Sequence, residues 1–178
     1  MKTIKNWVEL SRETIFQKYS HKLDKVIFRL PSGVESDYYL TGQNGHTVCV
    51  LAITSDDKVV LVKQYRPGPQ KVLLELPGGG VDKEETPLQA ITRELLEESG
   101  YTGDFEFVTE SIHNAYSGAS CFQYVAKNCR KVQEIKNDDT EFTEVSLMDL
   151  VNFRKHLRTG QLSDVNTGYL GLDFLHLL

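Results

Sequence analysis

The sequence predicts an α/β fold in which helices flank a central mixed sheet, with a β-rich extension at residues 1–45 ahead of a main domain at residues 46–178. Three observations carry this. Runs rich in Val, Ile, Leu and Phe, bounded by turn residues, recur on both sides of residues 79–101. Residues 86–100 have the caps and spacing of an amphipathic helix. Two further helical patterns close the chain.

Residues 26–30, the turn Pro31-Ser32-Gly33 and residues 36–40 read as a first hairpin. Residues 47–54 and 59–64 make a second, turning at Ser55-Asp56-Asp57-Lys58, and their near-continuous Val, Ile and Leu predict burial on both faces. The apolar run 72–76 passes from strand into the glycine turn Leu76-Pro77-Gly78-Gly79-Gly80. Glycine permits close backbone approach to a ligand. The loop is not a P-loop or a dinucleotide fingerprint, because neither Gly-Lys-Ser/Thr nor G-x-G-x-x-G is present. Thr86 as N-cap, Pro87 in the first turn and Gly100 as a left-handed stop bound a helix. Residues 105–110, 122–127 and 142–145 are further strand candidates. Ser146, with Asp149 three residues on, resembles a capping arrangement for a helix running to Leu157. Asp164 or Asn166 starts a last helix, whose Leu170, Phe174, Leu175 and Leu178 lie at helical spacing.

The helix at residues 86–100 carries the chemistry. At about 100° per residue, Glu94, Glu97 and Glu98 fall within an arc of roughly 100°, beside an apolar side of Leu88, Ile91 and Leu95 that Leu96 extends. Like charges at this spacing each disfavour a helix by roughly 0.2–0.5 kcal/mol, and the C-terminal dipole adds to the penalty. Clustered hard oxygens point to Mg²⁺ or a similar divalent cation, completed by substrate phosphates. Taken alone, the same face also reads as a solvated acidic surface with Arg93 in an ion pair.

Gly79, five residues, Glu85, seven residues and then Arg93-Glu94-Leu95-x-Glu97-Glu98-x-Gly100 together resemble the Nudix box, departing from it at Tyr101, where the family has an aliphatic residue. The resemblance implies an α-β-α sandwich and Mg²⁺-dependent attack of water on a pyrophosphate, with Mn²⁺ as a substitute. It assigns Glu94 and Glu98 as main metal ligands and Glu97 as a ligand or shared ligand. The Gly78 carbonyl becomes a backbone ligand, with Gly79, Glu85 and Arg93 supporting the site, and Glu97 and Glu98 serve catalysis.

Gln64-Tyr65-Arg66-Pro67 ahead of Glu75-Leu76-Pro77-Gly78-Gly79, together with Gly160-Gln161-Leu162-Ser163-Asp164-x-x-Thr167, is similar to the ADP-ribose pyrophosphatase and nucleotide-sugar branch. That likeness implies a homodimer built through the N-terminal region, often with exchanged strands. It also implies contact of Arg66 with substrate phosphate or ribose, a task suited to its fixed charge and forked donors. An ion pair of Arg66 with a surface carboxylate is the other reading. The branch's Ser-Pro-Gly turn is replaced by Tyr116-Ser117-Gly118-Ala119. Tyr116 is a candidate substrate contact, stacking on a base as in enzymes acting on diadenosine polyphosphates, or a packing residue. Members of that branch often take the general base from an acidic loop well after the box, and the resemblance implies Glu141 first, with Asp138 and Asp139 as alternatives and a solvated acidic loop as the plain reading. The expected reaction splits ADP-ribose or a nucleoside diphosphate sugar into a nucleoside monophosphate and a sugar phosphate. Dinucleoside polyphosphates, nucleoside triphosphates and a non-catalytic nucleotide-sugar sensor stay open beside it.

Composition narrows the remaining classes. A length of 178 residues suits one domain, with room for the extension as a subdomain, and a formal net charge of −5 argues against nucleic acid as a partner. No apolar run reaches about 18 residues, so no membrane span is expected. The start lacks the apolar core of a signal peptide, and a cytoplasmic location is the expectation. Cys49, Cys121 and Cys129 are too few and too irregular for a disulfide framework, and Cys121 reads as a buried thiol rather than a nucleophile. The five histidines make no zinc pattern, and no G-x-S-x-G motif occurs.

Overall fold

The computed structural model describes residues 3–19, 21–42, 45–135 and 142–178. The chain divides into two compact units, Met1–His46 with Ile112–Ser120, and Thr47–Ser111 with Cys121–Leu178.

The first unit is built on an antiparallel sheet in the order β1 (Val8–Lys18), β2 (His21–Arg29), β3 (Glu35–Thr41). The β2–β3 hairpin turns where expected. Leu30 and Val34 close it through Leu30 N–H to Val34 O at 2.8 Å, and Gly33 takes φ +89, a conformation that glycine adopts without strain. Strand β1 was not among the elements read from the sequence. All eleven of its residues are exposed, and the alternation of apolar and polar positions begun at Val8-Glu9-Leu10-Ser11 breaks off at Arg12-Glu13-Thr14. Asp24 on β2 is fully enclosed, accepting from the Thr14 hydroxyl at 2.7 Å and from Arg12 at 3.0 Å. The Ile112–Ser120 segment belongs to this unit through a parallel bridge of Ser117 to Thr41.

The second unit holds a central mixed sheet with helices on both faces. Its main path is β10 (Thr143–Asp149), β5 (Lys58–Arg66), β4 (His46–Thr54), β9 (Ser120–Lys131), β8 (Tyr101–Ile112). Two short strands join it: β6 (Lys71–Glu75) on β5 and β7 (Gly78–Gly80) on β4. Helix α1 (Pro87–Ser99) lies on one face; α2 (Leu150–Thr159) and α3 (Val165–Phe174) lie on the other. Strand β4 shows why its apolar run is unbroken. Val48, Val50 and Ala52 pack with Ala90, Ile91 and Leu95 of α1, while Cys49, Leu51 and Ile53 pack with Phe153, Leu157 and Leu172 of α2 and α3. Among the described residues no helix is long and apolar enough to cross a membrane.

Four local expectations are corrected. The N-cap of α2 is Asp149, whose Oδ1 accepts from Asn152 N–H at 2.9 Å; Ser146 is still in β10, paired with Leu61. In α1, Leu88 is 49 % exposed and Ala90 is buried in its place. In α3, Leu170 and Phe174 are largely exposed, as is Leu178 beyond it, and the buried face is Thr167, Gly168, Gly171 and Leu172. A Cβ on Gly168 would sit 2.4 Å from Leu157 Cδ2, and one on Gly171 2.8 Å from Leu51 Cδ2, so only glycine allows this approach. Finally, the three glycines form strand β7 rather than a plain turn. A Cβ on Gly78 would lie 2.3 Å from the Val48 carbonyl oxygen of β4.

Candidate active site

Helix α1 is fixed at both ends. Thr86 and Gln89 form a reciprocal cap, with Gln89 N–H to Thr86 Oγ1 at 3.3 Å and Thr86 N–H to Gln89 Oε1 at 2.9 Å. Gly100 closes the helix at φ +74, its N–H donating to Leu96 O at 2.8 Å. Between these caps the acidic face is organised around Arg93. Its Nε and Nη2 grip Glu85 at 2.9 and 3.0 Å, its Nη1 reaches Glu94 at 2.8 Å and Glu97 at 3.1 Å, and Nη2 also donates to Gly80 O at 3.1 Å. Arg93 thus supplies the countercharge that eases the repulsion among the carboxylates. The Glu85 hydrogen bond raises the Arg93 pKa, and the same bond holds Glu85 below the usual carboxylate range.

Glu94 and Glu98 both reach strand β7. Glu98, 6 % exposed, accepts from Gly78 N–H at 2.9 Å. The Glu94 carboxylate fills the space that a side chain at Gly79 would take, its Oε1 lying 2.3 Å from the position of a Cβ there. Helix α1 therefore brings two carboxylates together against one short glycine strand, and carboxylate oxygens are the donors that a divalent cation such as Mg²⁺ takes. Among the described residues, no three His, Cys, Asp or Glu side chains converge as a ready metal cage. The residues fit such a cation by donor type and by shared approach to β7.

Arg66, at the end of β5, is held by an acid that the sequence reading did not single out. Its Nε donates to Glu75 Oε2 at 2.5 Å, and Glu75 Oε1 accepts from Ser163 N–H at 3.0 Å. Glu75 is fully enclosed while the Arg66 side chain is 38 % exposed, so the partner of Arg66 is a buried carboxylate and not a surface one. The signals in the sequence were a lone acid inside the apolar run 72–76 and its place in the motif Glu75-Leu76-Pro77-Gly78-Gly79. Thr143, at the start of β10, donates its hydroxyl to Glu98 O at 3.4 Å and so meets the last turn of α1.

Tyr116 lies in the first unit and is 58 % exposed, with its N–H on Asn114 Oδ1 at 2.8 Å. Asp138, Asp139 and Glu141 lie outside the described residues. All three cysteines are free and buried. Burial pushes the Cys121 thiol up and Cys129 to about 11, which removes the thiolate that a nucleophile needs.

Comparison with known proteins agrees with this geometry. The NUDIX domain family matches residues 44–164. An ADP-ribose pyrophosphatase of Bacillus subtilis is 28 % identical over 171 residues, covering 94 % of this chain and 91 % of that one. A methanol dehydrogenase activator of Bacillus methanolicus is 30 % identical over 174 residues, with 94 % and 91 % covered. The crystal structure of an ADP compounds hydrolase has the same fold, with a TM-score of 0.83 at 21 % identity over 99 % of this chain and 97 % of that one. The helix with its three carboxylates, the glycine strand beside it and the match across residues 44–164 place this chain in the Nudix family, as a pyrophosphohydrolase.

Proposed function

We propose that this protein hydrolyses the pyrophosphate bond of ADP-ribose or a related nucleoside diphosphate sugar in a Mg²⁺-dependent reaction, giving a nucleoside monophosphate and a sugar phosphate. The observation that supports it most is the joint approach of Glu94 and Glu98 to Gly78 and Gly79, with Arg93 and Glu85 bracing the same face. The full-length likeness to an ADP-ribose pyrophosphatase supports the choice of substrate class.

In this reading Glu94, Glu97, Glu98 and the Gly78 carbonyl hold the metal. A metal held there would neutralise charge on the diphosphate and lower the pKa of a bound water. Arg66, fixed through Nε to Glu75, turns its terminal amines to a phosphate or the ribose. Glu141, or Asp138 or Asp139, takes the proton of the attacking water, whose oxygen bonds to phosphorus as the bridging P–O bond breaks. The fully exposed edge strand β1, with Val8, Leu10, Ile15 and Phe16 at 37–57 % exposure, suits pairing with a second copy, so a homodimer is part of the proposal.

The test is a panel of ADP-ribose, ADP-glucose, GDP-mannose, UDP-glucose, diadenosine polyphosphates and nucleoside triphosphates, with MgCl₂ or MnCl₂ and with Glu98→Gln as control. Preferred cleavage of one diphosphate sugar, abolished in the control, supports the reading. Preferred cleavage of polyphosphates or triphosphates, or turnover that survives Glu98→Gln, refutes it. Size-exclusion chromatography with light scattering reads the dimer separately.

A further inference from the structure

Gln64 is 8 % exposed, and among the described residues its side-chain Nε2 has no hydrogen-bond partner. A buried amide donor without an acceptor is destabilising, so folded proteins rarely keep one unless something outside the chain completes it. The question is what lies in front of it.

The register of the sheet answers where it points. Val62 pairs with Val145, and two residues further Gln64 pairs with Thr143. Val60 and Val145 both pack in the cluster under α1, so the two-residue period of the strand turns Gln64 to that same side. Along this side β5 reads Val60, Val62, Gln64, Arg66, passing from apolar to polar as the strand nears its end. Thr143, directly across from Gln64 at a spacing of about 5 Å, donates to the Glu98 carbonyl. Arg66 is two residues along, with Nε on Glu75; among the described residues its terminal amines make no hydrogen bond. Gln64 therefore sits in the strand between the substrate arginine and the residue that touches the last turn of the carboxylate helix.

We propose that Gln64 is a substrate-binding residue whose Nε2–H donates to a non-bridging oxygen of the substrate diphosphate, alongside Arg66. The inference rests on the pyrophosphohydrolase reading of the site. Its chemistry explains the residue type. Phosphate oxygens are strong acceptors, and a neutral amide satisfies one without adding a positive charge that would pair with Glu98 and compete with a metal. A Lys in this place would be drawn to the carboxylates, and an acid would repel the diphosphate.

The experiment compares wild type, Gln64→Met and Gln64→Glu, with ADP-ribose and MgCl₂ as probe, reading KM, kcat and the melting temperature of the ligand-free protein. Gln64→Met keeps the length and the burial while removing the donor. The expected result is a KM raised about ten-fold, which is about 1.4 kcal/mol, with kcat within two-fold and a melting temperature equal to or above wild type. Gln64→Glu should raise KM further. A KM unchanged in Gln64→Met, or a melting temperature that falls while KM holds, assigns the amide to internal structure and overturns the proposal. If wild type cleaves no diphosphate sugar, the proposed function fails on its own. Calorimetry with inorganic pyrophosphate and MgCl₂ then decides Gln64: a ten-fold weaker affinity in Gln64→Met supports the role, and an equal affinity overturns it.

Discussion

Gly78 and Gly79 are adjacent, yet adding one methyl group to each should have opposite consequences. The three atoms nearest a Cβ on Gly79 would all belong to Glu94, at 2.3, 2.4 and 2.7 Å for its Oε1, Cδ and Oε2. That carboxylate is the end of a flexible side chain and can swing away. The move forfeits its 2.8 Å charge-assisted bond to Arg93 Nη1, on a side chain 14 % exposed. Such a bond contributes roughly 1.5–3 kcal/mol when fully formed, and Arg93 keeps Glu85 and Glu97, so we expect a stability loss of about 1–2 kcal/mol. For a chain of this size that lowers Tm by about 2–8 °C. Activity should fall much further, because a displaced Glu94 leaves its place at β7, and misplacement of about 1 Å in a catalytic array lowers rates by roughly 10²-fold. A Cβ on Gly78 instead meets backbone, 2.3 Å from Val48 O and 2.9 Å from Cys49 Cα. Only separation of β7 from β4 relieves that contact, with a loss of about 3 kcal/mol or more. Thermal melts of Gly78→Ala and Gly79→Ala, paired with kcat/KM on whichever substrate of the panel the wild type cleaves best, separate the two. The reasoning is refuted if Gly79→Ala retains wild-type kcat/KM, or if it melts as early as Gly78→Ala.

Among the described residues, Arg66→Met leaves the enclosed Glu75 with only the Ser163 N–H; the partly exposed pair should then lose about 2–3 kcal/mol in urea unfolding, less than the 3–5 of a fully buried pair. Asp24 is held below its ordinary carboxylate pKa, first by the Thr14 hydroxyl and then by Lys22 and Arg12. A depressed folded-state value contributes stability that is present above the ordinary value and lost as pH falls through the lower one. Melts between pH 5 and 2, roughly spanning that fall, should decline more steeply in wild type than in Asp24→Asn, and parallel curves would contradict this. Cys49, Cys121 and Cys129 are buried with raised thiol pKa values; a thiol reagent at neutral pH should label none of them until denaturant is added. Gly100→Ala adds a Cβ near the Gln133 carbonyl at a φ of +74, and should destabilise by about 2 kcal/mol in denaturant melts.

What could be read from the sequence was whatever is local and regular. The caps of α1 are set by Thr86, Pro87 and Gly100 within one turn of the helix ends, and burial on both faces writes itself into β4 as an unbroken apolar run. Strand β1 carries only a short mark of this kind, since all its residues are exposed and nothing sustains an alternating pattern beyond Ser11. In α3 Leu170 and Phe174 point away from the core while Leu175, just beyond it, packs against it, because much of the contact is made by Gly168 and Gly171, which carry no hydropathy signal. The candidate site divides the same way. The carboxylate face and Arg93 follow from spacing on one helix, whereas Glu75 meets Arg66 across a strand pair and Ser163 from far along the chain, so neither partner is visible until the ladder is known. Gln64 is visible in the sequence only as part of the motif Gln64-Tyr65-Arg66-Pro67; that its amide donor is left without a partner among the described residues is a property of packing.

The glycine face of α3 reaches further than the contacts it makes. Gly168 and Gly171 let the helix settle onto Leu157 and Leu51, and Ser163, just ahead of that helix, is what steadies the far oxygen of Glu75. The C-terminal helix is thus a brace for the arginine at the tip of β5. Bulky substitutions on it, in residues that touch no carboxylate of the box, should surface as weakened substrate capture before they surface as unfolding, and variation at the end of such a chain is a route to retuning the site without altering its motif.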